Sequence, residues 1–270
     1  MTRYSRVSWT FAAAALLLMV AFLYGPAQVS GGGQMDGPFR GALSPDAVSD
    51  GFVAYWQAGA ASLPNGLQVL VDYWQRYHVA KAVIAALLTV VLSVLALRLW
   101  RTYAGPDARR RGVLGCAGVA ATLLAGAAAL VVMANVQGAI APLSSVVSLL
   151  PSATVDSPLE RTELQVVQEL ASAMPRPALT GLTNDFANYH WVVAVGSGVL
   201  ACIALALCAS AFRTYAVARR SGACVRRSRA VVAMGFAVLA TGMVILVVAN
   251  VGSALDPGRA LSLFFSGTSG

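Results

Sequence analysis

Five uninterrupted apolar runs constrain this chain more than any other feature: Trp9 to Tyr24, Val79 to Leu97, Val113 to Val136, Trp191 to Phe212 and Ala230 to Val251. At about 1.5 Å per residue, roughly 20 apolar residues match the roughly 30 Å hydrocarbon layer of a bilayer, whereas a soluble helix alternates apolar and polar faces. The rest of the composition agrees, with 58% of residues hydrophobic and 11% charged, against about 25% charged in ordinary soluble domains. The sequence therefore predicts an all-α integral membrane protein.

The last four runs form two hairpins that read as copies of one another. Tyr77-His78 returns as Tyr189-His190, and Arg101-Thr102-Tyr103-Ala104 as Arg213-Thr214-Tyr215-Ala216, both 112 residues later. Ala134-Asn135-Val136 returns as Ala249-Asn250-Val251, and Pro142 as Pro257, at an offset of 115, so the extra three residues arise between the blocks, most simply in the loop joining the helices. Self-similarity of this kind decides architecture before any local signal does. The expected fold is an N-terminal anchor helix followed by two tandem hairpins that form a four-helix bundle. Small residues should line its seams: Ala82 and Ala86 matching Ala194 and Gly198, and Gly118, Thr122 and Gly126 matching Ala233, Ala237 and Thr241. Both hairpins run in the same sense, so the pseudo-two-fold axis should lie along the membrane normal.

Six segments follow: 1–24, an anchor or signal peptide; 25–76, an outer helical region; 77–136, the first hairpin; 137–188, a second outer region; 189–251, the second hairpin; and 252–270, an outer tail. The first segment has Arg3 and Arg6 before its apolar stretch and Gly31-Gly32-Gly33 after it, a pattern shared with secretory signals. It reads as an uncleaved anchor; cleavage would leave four spans with both ends outside.

Charge is partitioned by these segments. With the N-terminus inside, Arg3, Arg6, Arg98, Arg101, Arg109, Arg110, Arg111, Arg213, Arg219, Arg220, Arg226, Arg227 and Arg229 share the inner side with one acid, Asp107. Six cations and ten carboxylates lie outside, and the two sides together give the net charge of +8. That segregation is the signature of topology at a plasma membrane, with a cytoplasmic N-terminus and an extracytoplasmic C-terminus, rather than of nucleic-acid binding. The inner arginine loops suit anionic lipids.

Outside the spans, Ser44-Pro45 and Ser157-Pro158 are helix starts with a Ser cap and Pro in the first turn. The first predicts a helix through Val48, Phe52 and Tyr55-Trp56, broken at Leu63-Pro64-Asn65-Gly66, after which one helix should run unbroken towards Arg98 and project from the bilayer. The second predicts an amphipathic helix striped by Leu159, Val166, Val167, Leu170 and Met174 and ended by Pro175 and Pro177, with a last helix from about Leu179 or Thr183. The apolar patches Val146 to Leu150 and Leu261 to Phe265 are too short to span and belong at the outer interface or against the outer helices. Cys116, Cys202, Cys208 and Cys224 show no C-x-x-C spacing and read as small apolar fillers.

No acid sits mid-span where coupled transporters place one, and no nucleophile elbow, P-loop, zinc-protease helix or dinucleotide fingerprint is present. What remains is a symmetric polar set at the outer rim: His78 and His190, the only histidines, with Asn135 and Asn250 ending the partner helices. A two-fold would bring the four into one shallow pocket. Three readings follow: interfacial anchors satisfied by backbone or Asn; a shared metal, haem or small-ligand site; or a pH-sensitive contact.

Tyr-His opening one helix, Ala-Asn-Val closing the next, and a following Pro with a short apolar tail resemble uncharacterised membrane proteins of high-GC Gram-positive bacteria, over roughly Tyr77 to Phe265. An arginine-to-lysine ratio of 18 to one is in keeping with such a genome. The resemblance implies a membrane location and carries no activity, cofactor or site role. The expected role is a non-catalytic scaffold or interaction subunit whose outer helices meet another envelope protein, with a cofactor-binding, redox-type protein built on His78 and His190 as the alternative.

The charge partition yields a labelling prediction. In a cysteine-free background, Gly105→Cys and Ser221→Cys should react with an impermeant maleimide only from the cytoplasm, and Gly32→Cys and Ser172→Cys only from outside; the reverse pattern overturns the orientation.

Overall fold

Helices account for every regular element among the described residues, as apolar runs of this length require. In the computed structural model the described residues are 3–30, 44–103, 111–172, 174–217 and 223–268. Gly31 to Gly33, Arg40, Gly105, Asp107, Arg109, Arg110, Arg219, Arg220 and Ser221 lie outside them, as do the side chains of Arg3, Arg6, Arg111, Cys224, Arg226, Arg227 and Arg229. The elements are α1 (Arg3–Val29), α2 (Pro45–Ala58), α3 (Asn65–Tyr103), α4 (Arg111–Ile140), α5 (Pro142–Val147), α6 (Pro158–Leu170), α7 (Pro177–Val217), α8 (Ala223–Leu255) and α9 (Pro257–Thr268). Five of these, α1, α3, α4, α7 and α8, are long and apolar enough to cross a membrane, which makes the chain a multi-pass, all-α membrane protein.

Local chemistry sets the short helices. Ser44 Oγ accepts from the Ala47 amide at 3.2 Å to open α2, and Gly59 closes it at φ 64°, a left-handed conformation that glycine adopts without strain. Ser157 does the same for α6, accepting from the Glu160 amide at 3.1 Å, while the Glu160 carboxylate reaches back to the Asp156 amide. Two boundaries differ from expectation. α6 stops at Leu170, before either proline, and leaves Met174 outside the helix and 87% exposed rather than on its apolar stripe. α7 starts at Pro177, because proline is well suited to the first helical position, where its missing N–H would have had no partner.

α3 has 39 residues and α7 has 41, so each is roughly 60 Å long at about 1.5 Å per residue, about twice the hydrocarbon thickness. The apolar runs Val79 to Leu97 and Trp191 to Phe212 begin 14 residues after Asn65 and Pro177, so it is the first turns that extend beyond the hydrocarbon-length segment. Within it the close helix pairs run in series: α1 with α3, α3 with α4, α4 with α7, and α7 with α8. A two-fold would repeat the α4–α7 pairing between α8 and α3, but the closely packed neighbour along α3 is α1. A methyl on Gly25 of α1 would meet Ile84 of α3 at 3.6 Å, Lys81 sits over the Phe22 ring at 4.9 Å, and Arg98 over Phe11 at 5.2 Å. The two-fold axis expected from the repeat is therefore not the packing found, because α1 occupies the flank that α8 would need.

The seams fall where expected at Ala194, Gly118 and Ala233, which are buried, and are turned by one residue elsewhere. Ala86, Thr122, Gly126, Ala237 and Thr241 are exposed. The buried small residues there include Ala85 with its counterpart Ser197, Ala121, and Ala125 with Ala240. Gly118 remains at a seam because the Trp100 ring lies over it, 3.1 Å from where a Cβ would be, with the indole N–H donating to Thr122 Oγ1 at 3.0 Å.

The largest apolar core lies above the spans. α2, α5, α6 and α9 pack with the projecting ends of α3 and α7 around Phe52, Tyr55, Trp56, Leu67, Leu179 and Phe265, and the patches at Val146–Val147 and Leu261–Phe265 enter the same core. This cap joins both halves of the chain. Tyr55 donates to the Ala178 carbonyl at 2.7 Å, Trp56 donates to Gln165 Oε1 at 3.1 Å, and the Arg176 guanidinium stacks 4.3 Å over Trp56 while pairing with Glu169. The start of α5 depends on the other half as well: Ala141 gives it no side-chain cap, and the Ser144 amide donates to Asp185 of α7 at 2.7 Å. At the matching position before α9, Asp256 supplies its own cap to the Arg259 amide.

Two expectations follow for detergent-solubilised protein. Phe52, fully buried and stacked on Phe265 at 5.7 Å, should lose about 3–5 kcal/mol on truncation to alanine, seen as a lowered unfolding temperature of the cap with membrane helicity retained. The Arg176 guanidinium holds the Glu169 carboxyl below its ordinary range, so this pair stabilises above the unfolded carboxyl pKa and the contribution disappears as pH falls through the lowered folded value. Being partly solvated it is worth about 1 kcal/mol or less, and the gap in unfolding temperature between wild type and Glu169→Gln should be open at neutral pH and closed in acid.

Candidate functional site

The rim residues anticipated from sequence lie where the spans meet the cap. His78 is on α3 and Asn135, near the end of α4, is 7% exposed. The Asn135 amide nitrogen donates to the Val131 carbonyl at 2.7 Å, so its oxygen faces His78, and His78 Nδ1 lies 3.0 Å from that oxygen. An amide oxygen only accepts, which places a proton on Nδ1 and, in the neutral ring, leaves Nε2 as the lone pair. Nε2 is buried and has no partner among the described residues. Trp74, one turn earlier, meets the imidazole edge-on at 4.8 Å and donates its indole N–H to Ser145 Oγ on α5 at 2.8 Å. On the other side the ring is pressed against Gly138, where a Cβ would stand 2.7 Å from His78 Cδ2. Only glycine leaves room for this approach.

The second hairpin repeats the arrangement with altered walls. His190 Nδ1 lies 2.8 Å from Asn250 Oδ1, and the Asn250 amide nitrogen donates to the Leu246 carbonyl at 2.8 Å. Phe186 takes the position of Trp74 and meets His190 at 4.7 Å, packing onward against Phe264 of α9. Ser253 stands where Gly138 stands, and its hydroxyl donates to the Ala249 carbonyl. Sequence reading missed Trp74, Phe186 and Gly138. The first two match at the 112-residue offset one turn before each histidine, which is the signal that could have found them.

Each histidine is thus tied to the asparagine of its own hairpin, and the single pocket expected to hold all four is not what forms. The 650 Å³ cavity where the hairpins meet is lined by none of them. Among the described residues no group of three or more His, Cys, Asp or Glu converges as a metal site, and Cys116, Cys202 and Cys208 are free thiols. Chemically the two sites are locks between helices, with one feature beyond that, the His78 Nε2 lone pair. In the cap, burial together with the Asp185 carboxylate pushes the Tyr55 phenol up from its ordinary range, which keeps it a hydrogen-bond donor to Ala178.

The asymmetry between Gly138 and Ser253 makes an internal control. Gly138→Ala should displace the His78 ring, break its bond to Asn135 and cost about 1–3 kcal/mol, whereas Ser253→Ala should change stability by less than about 0.5 kcal/mol. Thermal unfolding of the two variants side by side, with the imidazole N–H resonance of His78 as the local probe, checks both.

No family model, curated protein or solved structure matches the chain.

Proposed function

We propose that this protein is a non-catalytic scaffold or interaction subunit of the plasma membrane, built from two tandem copies of a helical hairpin and presenting its cap on the extracytoplasmic side. The observation that carries the reading is the distribution of burial. The large side chains that are fully buried belong to the cap, which both copies build together. The rim polar groups are used internally, each His–Asn pair fastening one hairpin. The surface left for recognition is the outer face of the cap, where Leu164 on α6 is 51% exposed and Val155 in the preceding loop 83%. Its partner would be another envelope protein, with the arginine loops on the opposite side resting on anionic lipid.

One observation favours a second reading. The buried His78 Nε2 lone pair has no partner among the described residues, and a redox-type cofactor or metal would use such an atom.

Photo-crosslinking amino acids at Leu164 and Val155, in cells, separate the two. The scaffold reading expects one defined protein adduct from these positions and none from the lipid-facing Val238, with the same partner retained through native-detergent purification. Diffuse or absent adducts sink it. A stoichiometric metal or a visible absorption band that disappears in His78→Ala/His190→Ala replaces it with the cofactor reading.

A further inference from the structure

Between the two hairpins lies a 650 Å³ groove that the cap and the seams leave open, within the roughly 300–1,000 Å³ of small-molecule sites. α4 and α7 approach closely where Met133 fills the space above Gly196, a Cβ there being 2.8 Å from Met133 Cγ. Beside that contact the groove is lined by the small side chains of Ala86 on α3 and Ala129 on α4, which leave it open. Val132, Val195 and Val199 wall it, and the only hydroxyl, that of Thr89, is turned away to the Ala85 carbonyl at 2.8 Å. The walls therefore offer a ligand methyl and methylene groups and almost no hydrogen bonding.

Position and length identify what such a groove takes. On α4 it runs from Ile140 to Ala129, twelve residues, or about 16 Å between the two ends at about 1.5 Å per residue, which is half of the roughly 30 Å hydrocarbon layer and thus one leaflet. Its cap-side end is marked by Asn188 and Trp191, both exposed, adjoining Tyr189 and His190 at the level where amphipathic side chains meet lipid headgroups. Its deep end, at Ala129, Val199 and Leu200, lies within five residues of the midpoints of the apolar runs Val113 to Val136 and Trp191 to Phe212. An apolar cavity excludes water, and the medium at its open side is hydrocarbon.

We propose that this groove is a lipid site that holds one acyl chain of a cap-side-leaflet lipid as a resident filler of the seam between the hairpins, with the Asn188 amide beside the ester region. The site rests on the membrane-spanning helices and is independent of the cap's role as an interaction surface.

The test uses the full-length protein in nanodiscs of palmitoyl-oleoyl phosphatidylglycerol doped with an analogue carrying a diazirine at the end of one acyl chain. Adducts mapped by mass spectrometry should concentrate at Ala129 and Val199. Val244 and Ile245 on α8, lipid-exposed and matching Ala129 and Leu130 in depth at the 115-residue offset, are the comparison. Labelling of the groove should exceed labelling of α8 by roughly tenfold, equivalent to about 1.4 kcal/mol of preference. Equal labelling overturns the proposal outright and needs no variant. Filling the groove with Ala86→Phe/Ala129→Leu should abolish the excess, whereas Leu123→Phe on the lipid-facing side of α4 should preserve it. A filled groove that still labels in excess also overturns it, and loss of the cap adducts from Leu164 without loss of the lipid would fail the scaffold reading alone.

Discussion

Inside hydrocarbon an apolar side chain gains nothing by leaving lipid for protein, so the hydrophobic effect cannot assemble the spanning helices. Every other feature of the fold answers that constraint. The seams put Ala85, Ala125, Ser197 and Ala240 between helices that then approach closely enough for dispersion to act. At the rim, one His–Asn bond per hairpin adds a polar tie that lipid cannot offer. Above the membrane the hydrophobic effect returns, and there the chain places its large aromatic side chains, Phe52, Tyr55, Trp56 and Phe265. The cap is thus the energetic centre of a molecule whose mass is mostly in the spans.

This division explains why the two hairpins can sit side by side with an open groove between them. They are held by Met133 over Gly196 at one level, and by Tyr55, Trp56 and Arg176 bridging the halves above. A tightly closed bundle is not required for stability when the join is made in water. α1, lying along α3 with Gly25 against Ile84, finishes the flank that the series would otherwise leave bare.

How much of this was legible depended on whether the signal was local. The spans followed from apolar length alone, and the Ser-Pro starts of α2 and α6 from side chains that cap amides three residues away. The long reach of α3 followed from the lack of any breaker after Gly66. Seam positions were met at Ala194, Gly118 and Ala233 and missed by one residue elsewhere, because neighbouring alanines such as Ala85 and Ala86 differ by about 100° of rotation and nothing in composition chooses between them. The rim residues were found through the repeat, but their pairing within each hairpin depends on Asn135 and Asn250 each spending their amide nitrogen on a carbonyl one turn back, a tertiary detail without a sequence mark. The serial packing was illegible for a similar reason: repeat symmetry predicts equivalent faces, and α1 breaks the equivalence from outside the repeat.

The bond from the Ser144 amide to Asp185 spans 41 residues, and that from Tyr55 to the Ala178 carbonyl spans 123. The core is sealed by Leu261 and Phe265 of α9, which follows the last span. During synthesis, then, α2 is made first among the cap helices; Gln165 and Ala178, the partners of Trp56 and Tyr55, follow after two spanning helices, and Phe265, the partner of Phe52, only after four. Maturation of the protein is ordered by this geometry. The cap can close fully only once α9 has followed the last of these spans, and until then Phe52 is open to chaperones, to proteases and to the wrong partner.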